Sequence, residues 1–181
     1  DQAKAPNDQQ IQLAQSWLSK ATSYNPQVVF EPDYLRLQAR IDPNAALGSL
    51  KAFRDLAPEQ RQAVADAMAD ALLKLKKFQD AYQILQMSYP DSPYRTPIQR
   101  NQLAYFAALA NTDLILAKEE IDKAIEKSDN YSFRDTRAWV LHKLGKQEEA
   151  LEEINAAIAS MNKDLKDLLE NVGKTERSFL R

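Results

Sequence analysis

The side chains able to do chemistry are few and poorly grouped. His142 is the single histidine of the 181 residues and there are no cysteines. Neither a thiolate metal site nor a cysteine nucleophile can be assembled, and no second imidazole completes a site around His142. An ordinary surface histidine accounts for it. Gly173-Lys174-Thr175 matches the end of a phosphate-binding loop, but that loop needs a glycine five residues before Gly173, where Leu168 stands, and a strand ahead of it. Glu148-Glu149 and Glu152-Glu153 read as the outer face of a helix, where solvation explains them and no pair is singled out for acid–base work. Asn130-Tyr131-Ser132 fits a glycosylation acceptor, a pattern frequent by chance and relevant to some secretory chains. These residues point away from an enzyme, and no cofactor or metal is expected.

Composition narrows the classes further. The chain is 44% hydrophobic and 28% charged, ordinary for a folded domain, and its length suffices for one continuous core. A net charge of −2 gives no basic field to attract nucleic acid. The apolar runs are too short to span a bilayer, and no signal peptide stands at the start. A cytoplasmic chain and a periplasmic or secreted one whose leader has been removed are both compatible with this composition. Three glycines and scarce β-branched runs predict helices from end to end.

Asp135–Ile158 organises the rest. It reads as two amphipathic segments meeting at Gly145, with Ala138 and Leu141 on one face of the first and Ala150, Ile154 and Ala157 on one face of the second. Gly145 ends the first helix by taking the left-handed conformation, and the alanines let the two helices approach closely. Residues 1–7 read as a frayed arm, and Asp8 as the N-cap of a helix reaching about Tyr24, with Ala14, Leu18 and Ala21 inward. In the next segment Tyr34 and Leu37 are expected inward, Asp42-Pro43 in the turn, and Ala46, Leu50 and Phe53 on the second helix, with Gly48 a cost inside it. Ala69, Leu72, Ala81 and Leu85 flank a turn at Lys76–Phe78, and Tyr105, Ala108, Ala117, Ile121 and Ala124 flank one at Asn111-Thr112-Asp113. After Met161 a stripe of Leu165, Leu168, Leu169 and Val172 predicts a terminal helix; no proline separates it from the helix before, which allows the two to join.

Ala14, Ala46, Ala81, Ala117 and Ala150 stand 32, 35, 36 and 33 residues apart. With the small-x3-large-x2-Ala pattern around them, this spacing resembles the tetratricopeptide repeat, most clearly over residues 62–160. Gln147 departs from the family's turn aromatic. The resemblance implies a single all-α domain of antiparallel helix pairs stacked as a right-handed solenoid: a half repeat at 8–26, repeats at 27–61, 62–97, 98–130 and 131–162, and a capping helix at 163–181. The helix at 8–24 lacks its usual partner, which leaves an edge for self-association or for residues upstream of it.

In this family the concave wall is formed by the first helix of each pair. Aligned on the shared alanines, that wall comprises Glu31 and Leu35, then Asp66 and Asp70, then Gln102, Phe106 and Leu109, then Asp135, Trp139 and His142. The Lys/Asn/Arg clamp of the family's chaperone-binding members has no counterpart there. The expected function is a non-enzymatic interaction module taking a peptide or protein surface along the groove, acidic at one end and aromatic at the other, with no nucleic acid and no membrane insertion. A structural spacer within a larger assembly protein is the second reading.

Overall fold

The structure is a computed structural model describing residues 7–90 and 93–179, with the side chains of Phe30, Ala46 and 167–179 left out. Residues 1–6 of the arm expected over 1–7, and the side chains of Ala46, Leu168, Leu169 and Val172, lie outside the described residues. Ten α-helices and one 3-10 turn make up the described residues, with no strand among them, in agreement with the all-α class. Internal contacts gather the chain into two compact units, Asp1–Pro90 and Asp91–Arg181.

The first unit contains α1 (Asp8–Tyr24), a 3-10 turn (Pro26–Phe30), α2 (Pro32–Ile41), α3 (Pro43–Gly48), α4 (Leu50–Asp55), α5 (Pro58–Lys74) and α6 (Phe78–Ser88). Asn7, one residue before the expected Asp8, caps α1: its Oδ1 accepts from Gln10 N–H and its own N–H donates to Gln10 Oε1, both at 2.9 Å. Pro32, Pro43 and Pro58 each open a helix, where the missing N–H leaves nothing unpaired. Helices α5 and α6 form a hairpin, and α2 packs on α5. Their core is Leu35, Ala39, Val64, Met68, Leu72, Ala81 and Leu85, with Phe53 from α4 fully buried.

Two expectations for this unit are corrected. Leu37 is exposed and Tyr34 half-buried, because α2 turns Leu35 and Ala39, one helical turn apart, onto α5. The helix expected after Asp42-Pro43 is broken into α3 and α4 at Gly48-Ser49, where glycine's low helix propensity is not offset by packing: a Cβ at Gly48 would meet nothing within 4 Å.

The second unit contains α7 (Pro97–Ala110), α8 (Leu114–Lys127), α9 (Tyr131–Lys143) and α10 (Gln147–Phe179). Thr96 and Gln99 form a capping box ahead of α7, and the Asn130 side chain accepts from Phe133 N–H to cap α9, which gives the glycosylation-like triplet a structural role. Hairpins α7–α8 and α9–α10 join through α9, which also touches α7 and α8. Ala104, Ala107, Ala108, Ala117, Ile121, Val140 and Leu141 fill the core. The terminal helix expected over 163–181 joins the helix before it, as the missing proline allows: α10 is a single 33-residue helix ending at Phe179, and nothing between Lys146 and Val172 is a glycine or proline.

Three hairpins share one turn. Lys76, Asn111 and Gly145 take the left-handed conformation (φ 56°, 53° and 79°), 35 and 34 residues apart. In each, that residue's N–H reaches the carbonyl three back and the next N–H reaches the carbonyl five back: Lys77 to Leu72, Thr112 to Ala107, and Lys146 to Leu141, at 2.8–3.0 Å. This is the Schellman closure of a helix. The middle turn carries one extra residue, Asp113, itself left-handed at φ 48°. That insertion is why the buried alanines Ala81, Ala117 and Ala150 stand 36 and then 33 apart while the turns remain nearly equidistant.

Candidate functional site

The expected groove residues divide by burial. Leu35 and Phe106 are only 1% and 3% exposed, so both belong to the core and neither lines an accessible wall, a correction to the expected surface. In the first unit Glu31 is the exposed N-cap residue of α2, while Asp66 and Asp70 lie one turn apart on α5. Asp66 Oδ1 accepts a 2.6 Å hydrogen bond from the buried Tyr89 hydroxyl. Burial, and then that carboxylate, push the Tyr89 hydroxyl far above its ordinary range, so it stays a donor. Partial burial raises the Asp70 carboxyl above its ordinary value, the neighbouring Asp66 charge adds to this, and Lys74 and Arg40 oppose it. A separate cleft of about 550 Å³ lies beside Tyr34, Gln38, Ser49, Lys51 and Asp55 at the α3–α4 break.

The second unit brings Leu109, Asp135, Trp139 and His142 together. They line an open trough of about 440 Å³ with Tyr105, Ala138, Gln147, Ala150, Leu151 and Ile154. Gln102 is half-buried on α7 and does not line it. The lining is largely apolar, with Asp135, His142 and Gln147 as its polar members. The trough continues into a smaller hollow of about 230 Å³ that shares Asp135 and Ile154 and adds Tyr131, Ile158 and Met161.

Three helices set the geometry. Tyr105 and Leu109 are one turn apart on α7; Asp135, Trp139 and His142 follow at the same interval along α9; Gln147, Leu151 and Ile154 descend α10. The Trp139 ring stacks on His142 at 5.6 Å and 24°, and Lys143 Nζ lies 5.1 Å from its centroid. His142 Nδ1 donates to Gln147 Oε1 at 2.9 Å, which ties the end of α9 to the start of α10 across the Gly145 turn. The indole is thus oriented while remaining exposed.

Charge fixes the rotation of α9. Lys118, Asp122, Arg137, Glu153, Arg134 and Asp129 form an alternating ladder with successive contacts of 2.7, 2.8, 2.8, 3.2 and 2.6 Å. It joins α8, α9 and α10. Trp139 follows Arg137 by two residues, about 200° around the helix, so the ladder holds one side of α9 and leaves the indole on the other.

The sequence reading missed Leu151, Ile154 and Gln147 as wall residues because only first helices were assigned to the groove. The available signal was the Leu151-Ile154-Ile158 spacing, which extends the apolar face of α10 beyond what Ala150 and Ala157 bury. No described helix is long and apolar enough to cross a membrane, and among the described residues no three His, Cys, Asp or Glu side chains are grouped to hold a metal. Comparison with protein-family models, curated proteins and solved structures returned no match.

Proposed function

We propose that the chain is a non-enzymatic, tetratricopeptide-like interaction module whose binding surface is the α7–α9–α10 trough. The observation that carries this reading is an oriented, exposed tryptophan in an apolar depression between helices. Such a depression suits a helical or extended segment anchored by large apolar side chains, the helix-in-groove mode of recognition. The repeat character is supported by the three Schellman turns at nearly constant spacing and the buried alanine that follows each. A helix pair in a repeat array offers its open side to the first helix of a further unit, and α10 runs on instead of folding back over that side. The trough is thereby left for another segment.

Selection from a random peptide library on the immobilised chain tests the reading. Enriched peptides should carry apolar anchors three or four residues apart, and should fail to bind Trp139→Ala. No enrichment, or enrichment indifferent to Trp139→Ala, counts against it.

A further inference from the structure

We propose that the trough is filled by α10 of a second copy of this chain, the two α10 helices lying antiparallel about a two-fold axis between Ile158 and Met161. This rests on the trough being a helix-binding surface, and it names the partner.

The first support is the pattern on α10. Leu151, Ile154, Ile158, Met161 and Leu165 follow one another at alternating steps of three and four, the repeat of a coiled-coil seam, and Leu168 and Val172 continue it in sequence. Among the described side chains of this helix Ala150 and Ala157 are the buried ones, and the exposed Leu151, Ile158, Met161 and Leu165 run beside that α9-facing strip rather than on it. Residues 161–166 are exposed without exception. A 13-residue α9 covers about 20 Å and a 33-residue α10 about 50 Å, so much of α10 extends past its neighbour. An amphipathic helix without a partner is marginal in water, and this seam is self-complementary. Rotation about an axis between Ile158 and Met161 sets those two residues against each other and brings Leu165 of one copy to Ile154 of the other, so each trough receives the Ile158–Leu165 stretch of the other α10.

The second support is area. Tyr131, Trp139, Leu151, Ile158, Met161 and Leu165 remain 45, 39, 61, 48, 46 and 53% exposed. At on the order of 100 Å² each, these six supply about 600 Å² per copy and roughly 1,200 Å² for a symmetric pair, within the range of a specific interface. About 600 Å² is at the upper end of the largest apolar patch that a single-chain surface carries, and patches of that size often serve binding.

Sedimentation equilibrium of the full chain across a wide concentration range is the test. A reversible dimer is expected, weakened at least ~30-fold by Leu165→Glu and likewise by Leu151→Glu. Both side chains are exposed, so far-ultraviolet circular dichroism should show unchanged helix content. Trp17→Glu, on the exposed face of α1, should leave the dimer intact. Because the chain has no cysteine, nitroxides on single cysteines at Glu152 and Lys163 also read the orientation. Antiparallel helices give unequal label separations at the two sites, and equal separations overturn the arrangement. A strict monomer overturns the pairing, as does a dimer insensitive to both α10 variants or one lost only in Trp17→Glu. A monomer that still captures peptides through Trp139 would remove the pairing and leave the trough's function standing.

Discussion

Lys76 holds a left-handed backbone without glycine's freedom, whereas Gly145 does the same work in the last hairpin at no steric cost. Lys76→Gly should therefore raise the unfolding free energy by about 1 kcal/mol, and Gly145→Ala should lower it by about as much, both read from urea midpoints. An unchanged midpoint for both would mean that the turns do not hold this geometry in solution. Asp70 makes a pH-dependent contribution whose sign follows from its raised carboxyl. The folded state binds this proton more tightly than the unfolded chain, so stability falls as pH rises through the window just above 3.8. Asp70→Asn should flatten that slope and stabilise the chain at neutral pH; a steeper slope in the variant would contradict the assignment. Gly145 was legible as a helix exit because the residue type announces it. Lys76 and Asn111 were legible as turns, but their shared left-handed geometry was not, since lysine carries no preference for it. Leu35 and Phe106 were misplaced for different reasons. The register transferred from second-helix alanines fails in α2, which is short and followed by a broken helix. In α7 apolar residues surround the axis, so the pattern alone cannot say that Phe106 points inward while Leu109 reaches the trough.

Helix pairing turns on small residues and on a few buried charges. Ala81 is fully buried between α5 and α6, so Ala81→Leu should overpack and cost about 1–3 kcal/mol. Ala150→Leu should cost less, because Ala150 also borders the trough and the longer side chain has somewhere to go. Equal penalties in thermal unfolding would show that the trough is closed in solution. Glu120 on α8 is a second test. Its carboxylate receives Arg100 at 2.7 Å and Arg95 at 3.0 Å, with Glu120 and Arg100 both nearly inaccessible. Glu120→Ala leaves buried cationic groups without this carboxylate, and should cost about 3–5 kcal/mol in chemical denaturation. A loss below about 1 kcal/mol, the range of a surface pair, would contradict the burial. Sequence pattern located these hairpins because alanines at close helix contacts recur with the repeat. It did not reveal the Glu120 pairings or the ladder through Arg137 and Glu153, since charges far apart in sequence become neighbours only once α8, α9 and α10 are assembled. The continuity of α10 was foreshadowed by the absence of a helix breaker, but whether it folded back depended on tertiary contacts that residue types do not encode.

At the scale of the whole molecule, sequence pattern conveyed the helical class and the C-terminal concentration of aromatic groove residues. Only the structure separated Trp139, which is displayed, from Phe106, which is buried. The proposed function then rests on one property: an open apolar trough in the second unit, its indole oriented by a stacked histidine and an ion ladder. Peptide affinity measured by fluorescence anisotropy, with a selected ligand on the full chain and on Trp139→Ala at matched helix content, tests this most directly. The account predicts that losing the indole weakens binding by at least ~30-fold, chiefly through faster dissociation, as for the central anchor of an interface. Affinities within about twofold of each other, the behaviour of an energetically neutral contact, would contradict it.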